Sequence, residues 1–466
     1  MQIISFIYNL FWGDLFSIPL PGGSSFGVSL LVLILIPTGI YFTIRTKFLP
    51  FRCFPEMLRI SVEKKKDKSS GALSGLQALI VSTATRVGMG NMAGVVAAIS
   101  VGGAGAVFWM WITALIGSST AFIEATLAQL HKQEDPLYGG YRGGPAYYIH
   151  AFFAKGKKFS IIAILFAISG LICWGGVSQV ISNSVSESFQ NAFSIPPIVT
   201  TILLVAISAV IILRKNTTVK VLDIIVPIMA GFYFLLSVIV IVMNFRLLPG
   251  VMGRIFKEAF GIRSMVGGGL GAALAMGVKR GLFSNEAGSG SAPCAAAAAD
   301  VSHPAKAGLY QSFGVFIDTL VICTCTAMII LLAPEDLLAG RQGMDLLQTA
   351  MQHHFGFAGV VFTAIMLFLF CFSTFIGILF YARSNVAYLF GDNWLSQTLY
   401  KVFALIMLFI GGLATYTFVW DIGDIGIALM TVFNMIALYP IAGQALRSLD
   451  DYWKIRKQER AAKKNT

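Results

Sequence analysis

Three glycines, an arginine and an asparagine fall within nine residues of a long apolar run, "RVGMGNMAG" at 86–94. Glycine is a poor helix former, and Arg86 and Asn91 are expensive in lipid. Non-helical backbone at membrane depth is tolerated only where it is buried in protein or lines a wet cavity. A second such stretch, "SMVGGGLGAALAMGVKRG" at 264–281, gathers Gly267, Gly268, Gly269 and Gly271. A broken helix exposes N–H groups at one half-helix end and carbonyls at the other. The first end suits a carboxylate and the second a small cation. Taken alone, Gly90 and Gly94 equally fit close helix packing; the second glycine cluster favours a binding site. Other chemistries find little support. The five histidines (His131, His150, His303, His353, His354) sit in loops or at span ends, and no HExxH is present. "GSGS" at 288–291 lacks a following Walker lysine. We therefore read the chain as no enzyme.

These residues need a membrane to sit in, and composition supplies one. The 466 residues are 56% hydrophobic and 12% charged, against about 25% charged in soluble domains; mean hydropathy is +0.78. Eleven apolar runs are long enough to span: 26–44, 76–101, 104–130, 160–184, 197–213, 221–244, 264–283, 309–332, 357–381, 399–417 and 420–446. The N-terminus has no basic region or cleavage site of a signal peptide. The six cysteines read as buried small hydrophobes. A net charge of +12 would suit nucleic acid, but its distribution argues against such a partner. Residues 45–75 hold eight Lys and Arg, and alternating from there puts 28 of the 34 on one side, Lys279 and Arg280 among them, and five on the other, with Arg86 inside a span. By the positive-inside rule the N-terminus is outside and the C-terminus cytoplasmic. The basic 246–263 connection is the exception and reads as a surface helix. "KKKDK" and "KIRKQERAAKK" read as topology determinants touching lipid headgroups.

The two broken runs are spans two and seven, which cross in opposite senses. That pairing points to an all-α, polytopic secondary transporter built from inverted repeats. The expected divisions are 1–75 for an extra helix and basic loop, 76–245 and 264–446 for the repeats, 246–263 for their connection, and 447–466 for a basic tail.

Several long motifs carry a family resemblance: "RVGMGNMAGV" (86–95), "GGAGAVFWMWITALIG" (102–117), "YRGGPAYYI" (141–149), "RGLFSNEAGSGSAP" (280–293), "FIDTLVICTCTAMIILL" (316–332), "FCFST" (370–374) and "WDIGDIGIALM" (420–430). Over almost the whole chain it resembles the alanine/glycine:cation symporters, the sodium:alanine symporter family. The resemblance implies a LeuT-type five-plus-five repeat after one extra helix, with sodium- or proton-driven uptake of a small neutral amino acid. A proton-coupled permease for serine or glutamine, or a passive channel, is the alternative. No cofactor beyond the coupling ion is implied. The chain departs from the family at "GGVSQVISNS" (175–184) and "FIGILFYARS" (375–384), near the expected pocket.

On this resemblance, carbonyls of Ala84 and Val87 and hydroxyls of Ser373 and Thr374 are expected around sodium. The two hydroxyls have a competing role, back-bonding to their own helix. Thr85, Gly88, Gly90 and Asn91 are expected to face substrate, with Gly267, Gly268 and Gly269 closing the far side. Asn91 also suits a cap on the half-helix that follows. Gln179 suits either substrate or a neighbouring helix. Arg86 reads as a structural ion pair with Glu124, Asp318 or Glu286. Asp318 could carry a proton, pair with Arg86 or hold a cation. "RGLFSNEAGSGSAP" reads as an inside loop with a structural or gating role.

Overall fold

The computed structural model describes residues 2–19, 25–61, 73–74, 79–80, 83, 86–213, 218–261 and 269–464. Each of the eleven apolar runs carries a helix. Among the described residues, seven helices are long and apolar enough to cross a membrane: Gly105–Leu130, Ile161–Phe193, Ile225–Met243, Pro304–Leu331, Phe357–Phe390, Trp394–Gly411 and Tyr416–Ala462. Leu30–Arg45, Gly90–Gly102 and Pro197–Ile212 are shorter apolar helices, and Gly269–Asn285 occupies the seventh run. The molecule is an all-α polytopic membrane protein, with three small two-stranded sheets among the described residues.

Local chemistry sets the helix ends. Ser160 caps the Ile161–Phe193 helix through its hydroxyl, and Ser194 ends it in the left-handed region at φ 56°. The last helix runs on to Lys464, well past the apolar run. Its polar extension is rich in helix-forming Lys, Arg and Glu and carries an Arg456–Glu459 pair. The basic connection forms the Leu248–Ala259 helix, as expected. The sequence reading had no element before residue 26; the structure has a helix at Gln2–Trp12 and an antiparallel hairpin pairing Asp14–Pro19 with Ser25–Ser29.

Two long helices form the spine on one side. Ile161–Phe193 packs along Tyr416–Lys464, with further contacts to Phe357–Phe390 and Trp394–Gly411. Glycine permits the close approach: a Cβ on Gly176 would lie 2.8 Å from the Gly423 nitrogen, and one on Gly426 would lie 2.3 Å from Cys173 Cα. On the other side Gly105–Leu130 packs against Pro304–Val315 and Gly269–Asn285. Apolar side chains such as Ile202, Leu203, Phe232 and Leu395 stay exposed on the rim, where lipid is their solvent. All six cysteines are buried and free.

Candidate functional site: two interrupted helices in the core

The helix entering the 86–94 stretch loses its register there. The Val87 N–H donates to Thr83 O at 2.6 Å, but the Gly88 N–H turns back to Arg86 O at 2.8 Å. Side chains take up backbone groups that the break frees. Gly88 N–H also donates to Asn91 Oδ1 at 2.8 Å, and Met89 N–H donates to Thr374 Oγ1 at 3.2 Å. Asn91 thus holds the turn that precedes its own helix. The chain re-enters helix through a π-helical turn at Gly90–Gly94, a geometry that recurs at functional sites.

The second interruption lies elsewhere than the glycine count suggested. Gly269 begins a helix that continues unbroken to Asn285. Non-helical backbone follows at 286–292, buried throughout, before a short helix at Pro293–Ala298. Glu286 adopts φ 57°, and Gly288 and Gly290 adopt φ 98° and 84°. Polar partners hold this interior segment: Gly288 N–H donates to Glu124 Oε2 at 3.0 Å, Asn434 Nδ2 donates to Gly288 O at 3.0 Å, and Tyr381 OH donates to Glu286 Oε2 at 3.2 Å. The stretch read as an inside loop is therefore part of the core. A Cβ on Gly90 would meet Ser284 Cα at 3.0 Å, so the helix that opens after the first break lies against the end of the helix that precedes the second.

The expected site residues divide accordingly. Gly88, Gly90, Asn91 and Thr374 come together at the first break. Val87 is fully buried beside them. Ser373 and Thr374 both back-bond to Phe370 O at 2.9 Å. Ala84, Thr85, Gly267 and Gly268 lie outside the described residues. Gly269 is not brought in: fifteen residues separate it from Ser284, roughly 22 Å of helix. Gln179 faces the neighbouring helix, donating to Met407 Sδ at 3.1 Å, and a Cβ on Gly411 would lie 2.2 Å from its Cα. Gly176 and Val180 pack toward the last helix instead, both within 4 Å of the Cβ position of Gly423, as is Phe283. Gly176 lies one helical turn before Val180, a spacing legible only once the facing helix is known.

Arg86 is 1% exposed but forms no carboxylate pair among the described residues. Its Nη1 donates to Gln311 O at 3.1 Å and to Gln311 Oε1 at 3.0 Å. In place of the expected direct ion pair there is a glutamine contact through Nη1, while Nε and Nη2 have no hydrogen-bond partner among the described residues. Lys279 and Arg280 also depart from expectation. Counted as inside-loop charges, they lie buried in a helix and both pair with Asp424, Arg280 in two-pronged fashion at 3.0 and 3.1 Å. Arg280 also lies 3.9 Å over the Trp420 ring. Tyr8 and Trp12 of the first helix complete this cluster.

The comparisons with known proteins agree with one another. Residues 23–466 match the profile of the sodium:alanine symporter family. The chain is 41% identical over 451 residues to the amino-acid carrier protein AlsT of Bacillus subtilis, covering 96% of this chain and 94% of that one. It is 42% identical to the probable sodium/glutamine symporter GlnT of the same organism, covering 92% and 88%. It is 34% identical to the sodium/alanine symporter AgcS of Methanococcus maripaludis, covering 92% and 95%. Among solved structures, a mutant of the Eremococcus coleocola manganese transporter superposes with a TM-score of 0.51 at 13% identity, over 81% of this chain and 78% of that one. This last likeness speaks for the fold alone. By its profile match and its near full-length relatives, the chain belongs to the sodium:alanine symporter family.

Proposed function

We propose that the chain is a secondary active symporter that couples inward sodium flow to uptake of a small neutral amino acid such as alanine or glycine. One observation carries this reading: the helix that opens just after the break at 87–88 lies, at Gly90, against Ser284, two residues before the buried non-helical stretch at 286–292. A passive pore has no use for two interrupted helices facing one closed centre. Half-helix ends there would meet an amino acid's carboxylate and a small cation through backbone groups. The hydroxyl of Thr374, held against Met89, would supply a neutral oxygen for sodium, with Ser373 and the carbonyls of Ala84 and Val87. Gly88, Gly90 and Asn91 would border the substrate, and Gly176, Val180 and Phe283, which gather around Gly423, would limit its size. The GlnT relative's name makes glutamine the competitor of alanine and glycine to test.

In this reading 76–245 and 264–446 are the inverted repeats joined by 246–263, residues 1–75 and the 447–466 tail are additions, and the protein sits in a prokaryotic inner membrane with its C-terminus inside. The test is uptake into proteoliposomes of a panel of amino acids, with and without a sodium gradient. Alanine and glycine uptake should rise severalfold with sodium. Stimulation by a proton gradient alone would replace this reading with a proton-coupled permease.

A further inference from the structure

The Gln2–Trp12 helix precedes residue 23, where the family match begins, and it has two apolar faces. Ile7, Tyr8, Phe11 and Trp12 pack toward the protein, while Ile3, Phe6 and Leu10 stay exposed. An exposed apolar stripe of this kind places a helix in the bilayer interface. The inner face makes polar contacts as well. Trp12 Nε1 donates to the Asp424 carbonyl at 3.1 Å, and Lys279 Nζ donates to Tyr8 OH. That ammonium lies 4.4 Å from the Tyr8 ring centre and 5.4 Å from the Trp12 ring centre, within cation–π range. Two buried cations, Lys279 and Arg280, share the buried Asp424 carboxylate at 2.5 and 3.0 Å, so the two rings help hold the ammonium in place. The hairpin that follows reaches the other partner. Its Ser25–Ser29 strand packs against the Gly269–Asn285 helix, whereas the first helix packs against the last one. The N-terminal segment thus bridges the seam between the helices that carry Lys279 and Asp424. Phe283, one turn beyond Lys279, lies 3.9 Å from the Cβ position of Gly423, so the seam leads to the proposed pocket.

We propose that the Gln2–Trp12 helix is a strap that fastens the last helix to the Gly269–Asn285 helix, and that Tyr8 and Trp12 must release Lys279 and Asp424 before these two helices part to admit substrate. The strap lies at the end of Leu30–Arg45 remote from the Phe54–Ser61 helix, so it restrains one face of the protein only. Its contacts are few and specific: one indole N–H, one phenol and two ring faces on a single ammonium. Such a fastening biases a conformational equilibrium without blocking it. Ile3, Phe6 and Leu10 keep the helix at the bilayer surface when it lets go, so that it rebinds from nearby. This inference rests on the symporter reading above, in which the core opens to one face at a time.

The experiment reads the seam with a thiol. Val180 is fully buried and within 4 Å of the Cβ position of Gly423, so Val180→Cys in the purified full-length protein reports parting of the last helix from its neighbours. Without sodium, a polar methanethiosulfonate reagent should label it slowly. Tyr8→Ala with Trp12→Ala should raise the labelling rate about tenfold. Ser5→Ala, at an exposed position, should leave it unchanged. The same variants lacking Val180→Cys subtract any reaction of the native thiols, all buried in this conformation. Tyr8→Phe and Trp12→Phe keep a ring in place and remove one hydrogen bond each. Each should raise the rate about twofold to threefold, and they keep the test decisive should the double variant fail to fold. In sodium-driven uptake the same two variants should lower the alanine concentration for half-maximal rate, because less of the population is held closed. Labelling at the wild-type rate in both single variants overturns the proposal, as does an increase in Ser5→Ala as large as theirs. Wild-type uptake indifferent to sodium would instead defeat the symporter reading, whatever the labelling shows.

Discussion

Gly90 and Gly94 look alike in sequence and differ in their surroundings. A Cβ on Gly90 would press on the backbone of Ser284 at 3.0 Å, whereas one on Gly94 would meet nothing within 4 Å. Gly90→Val should therefore abolish transport while membrane insertion persists, and Gly94→Ala should insert and express as wild type. Uptake at the wild-type rate by Gly90→Val would remove the interrupted helix from the site. Thr374 permits a finer test. Its hydroxyl already accepts from Met89 N–H, so Thr374→Ala leaves a buried donor short and removes an oxygen proposed for sodium. A lost buried partner costs on the order of 1–3 kcal/mol, roughly tenfold to a hundredfold in affinity. The sodium half-saturation of uptake should rise by that factor, with excess sodium restoring most substrate affinity. An unchanged half-saturation would take Thr374 out of the cation site.

At the scale of elements, helix existence was legible and tertiary partnership was not. Apolar run length is a local property, and all eleven runs carry helices. The first break was legible because glycine, arginine and asparagine violate membrane helix chemistry within one run. The second was misplaced, because "SNEAGSGSA" has a loop's composition and only tertiary packing makes it interior. The glycines at 267–269 drew attention by number, yet Gly269 starts a regular helix. Asp318 stood out as an intramembrane carboxylate; its pairing with Asn91 spans 227 residues and leaves no local trace. The ends of the chain show the same limit. Glu56, in the Phe54–Ser61 helix, accepts from Arg59 at 2.7 Å and from Arg456 at 2.9 Å, and Tyr452 also donates to it. Burial alone would raise its pKa; the hydrogen bonds from Arg59 and Tyr452 and the charges of Arg59 and Arg456 outweigh it and hold the carboxyl at about 2. Its stabilisation is thus complete above the ordinary value of 4.5 and is lost as pH falls toward 2. The melting-temperature difference between wild type and Glu56→Gln should be constant from about pH 8 to 5 and shrink below about pH 4. A difference that grew on acidification would contradict the clamp.

For the whole molecule, that clamp joins the 45–75 loop to the C-terminal tail, so the two share one face of the membrane. In the proposed topology that face is cytoplasmic, on a basic-residue asymmetry that survives the withdrawal of Lys279 and Arg280 from the count. The native cysteines are buried, so introduced ones report cleanly. Leu58→Cys and Lys457→Cys sit at exposed positions, and an impermeant maleimide should label neither in intact cells and both in inverted vesicles. Labelling of either in intact cells would reverse or break the topology.

Energy coupling is read most directly from accumulation. Proteoliposomes holding the purified chain, given labelled alanine outside and an inward sodium gradient at equal pH, should concentrate alanine severalfold above the medium and release it when a sodium ionophore is added. Alanine that enters only to the external concentration, with or without sodium, would show a passive route and contradict the symport mechanism.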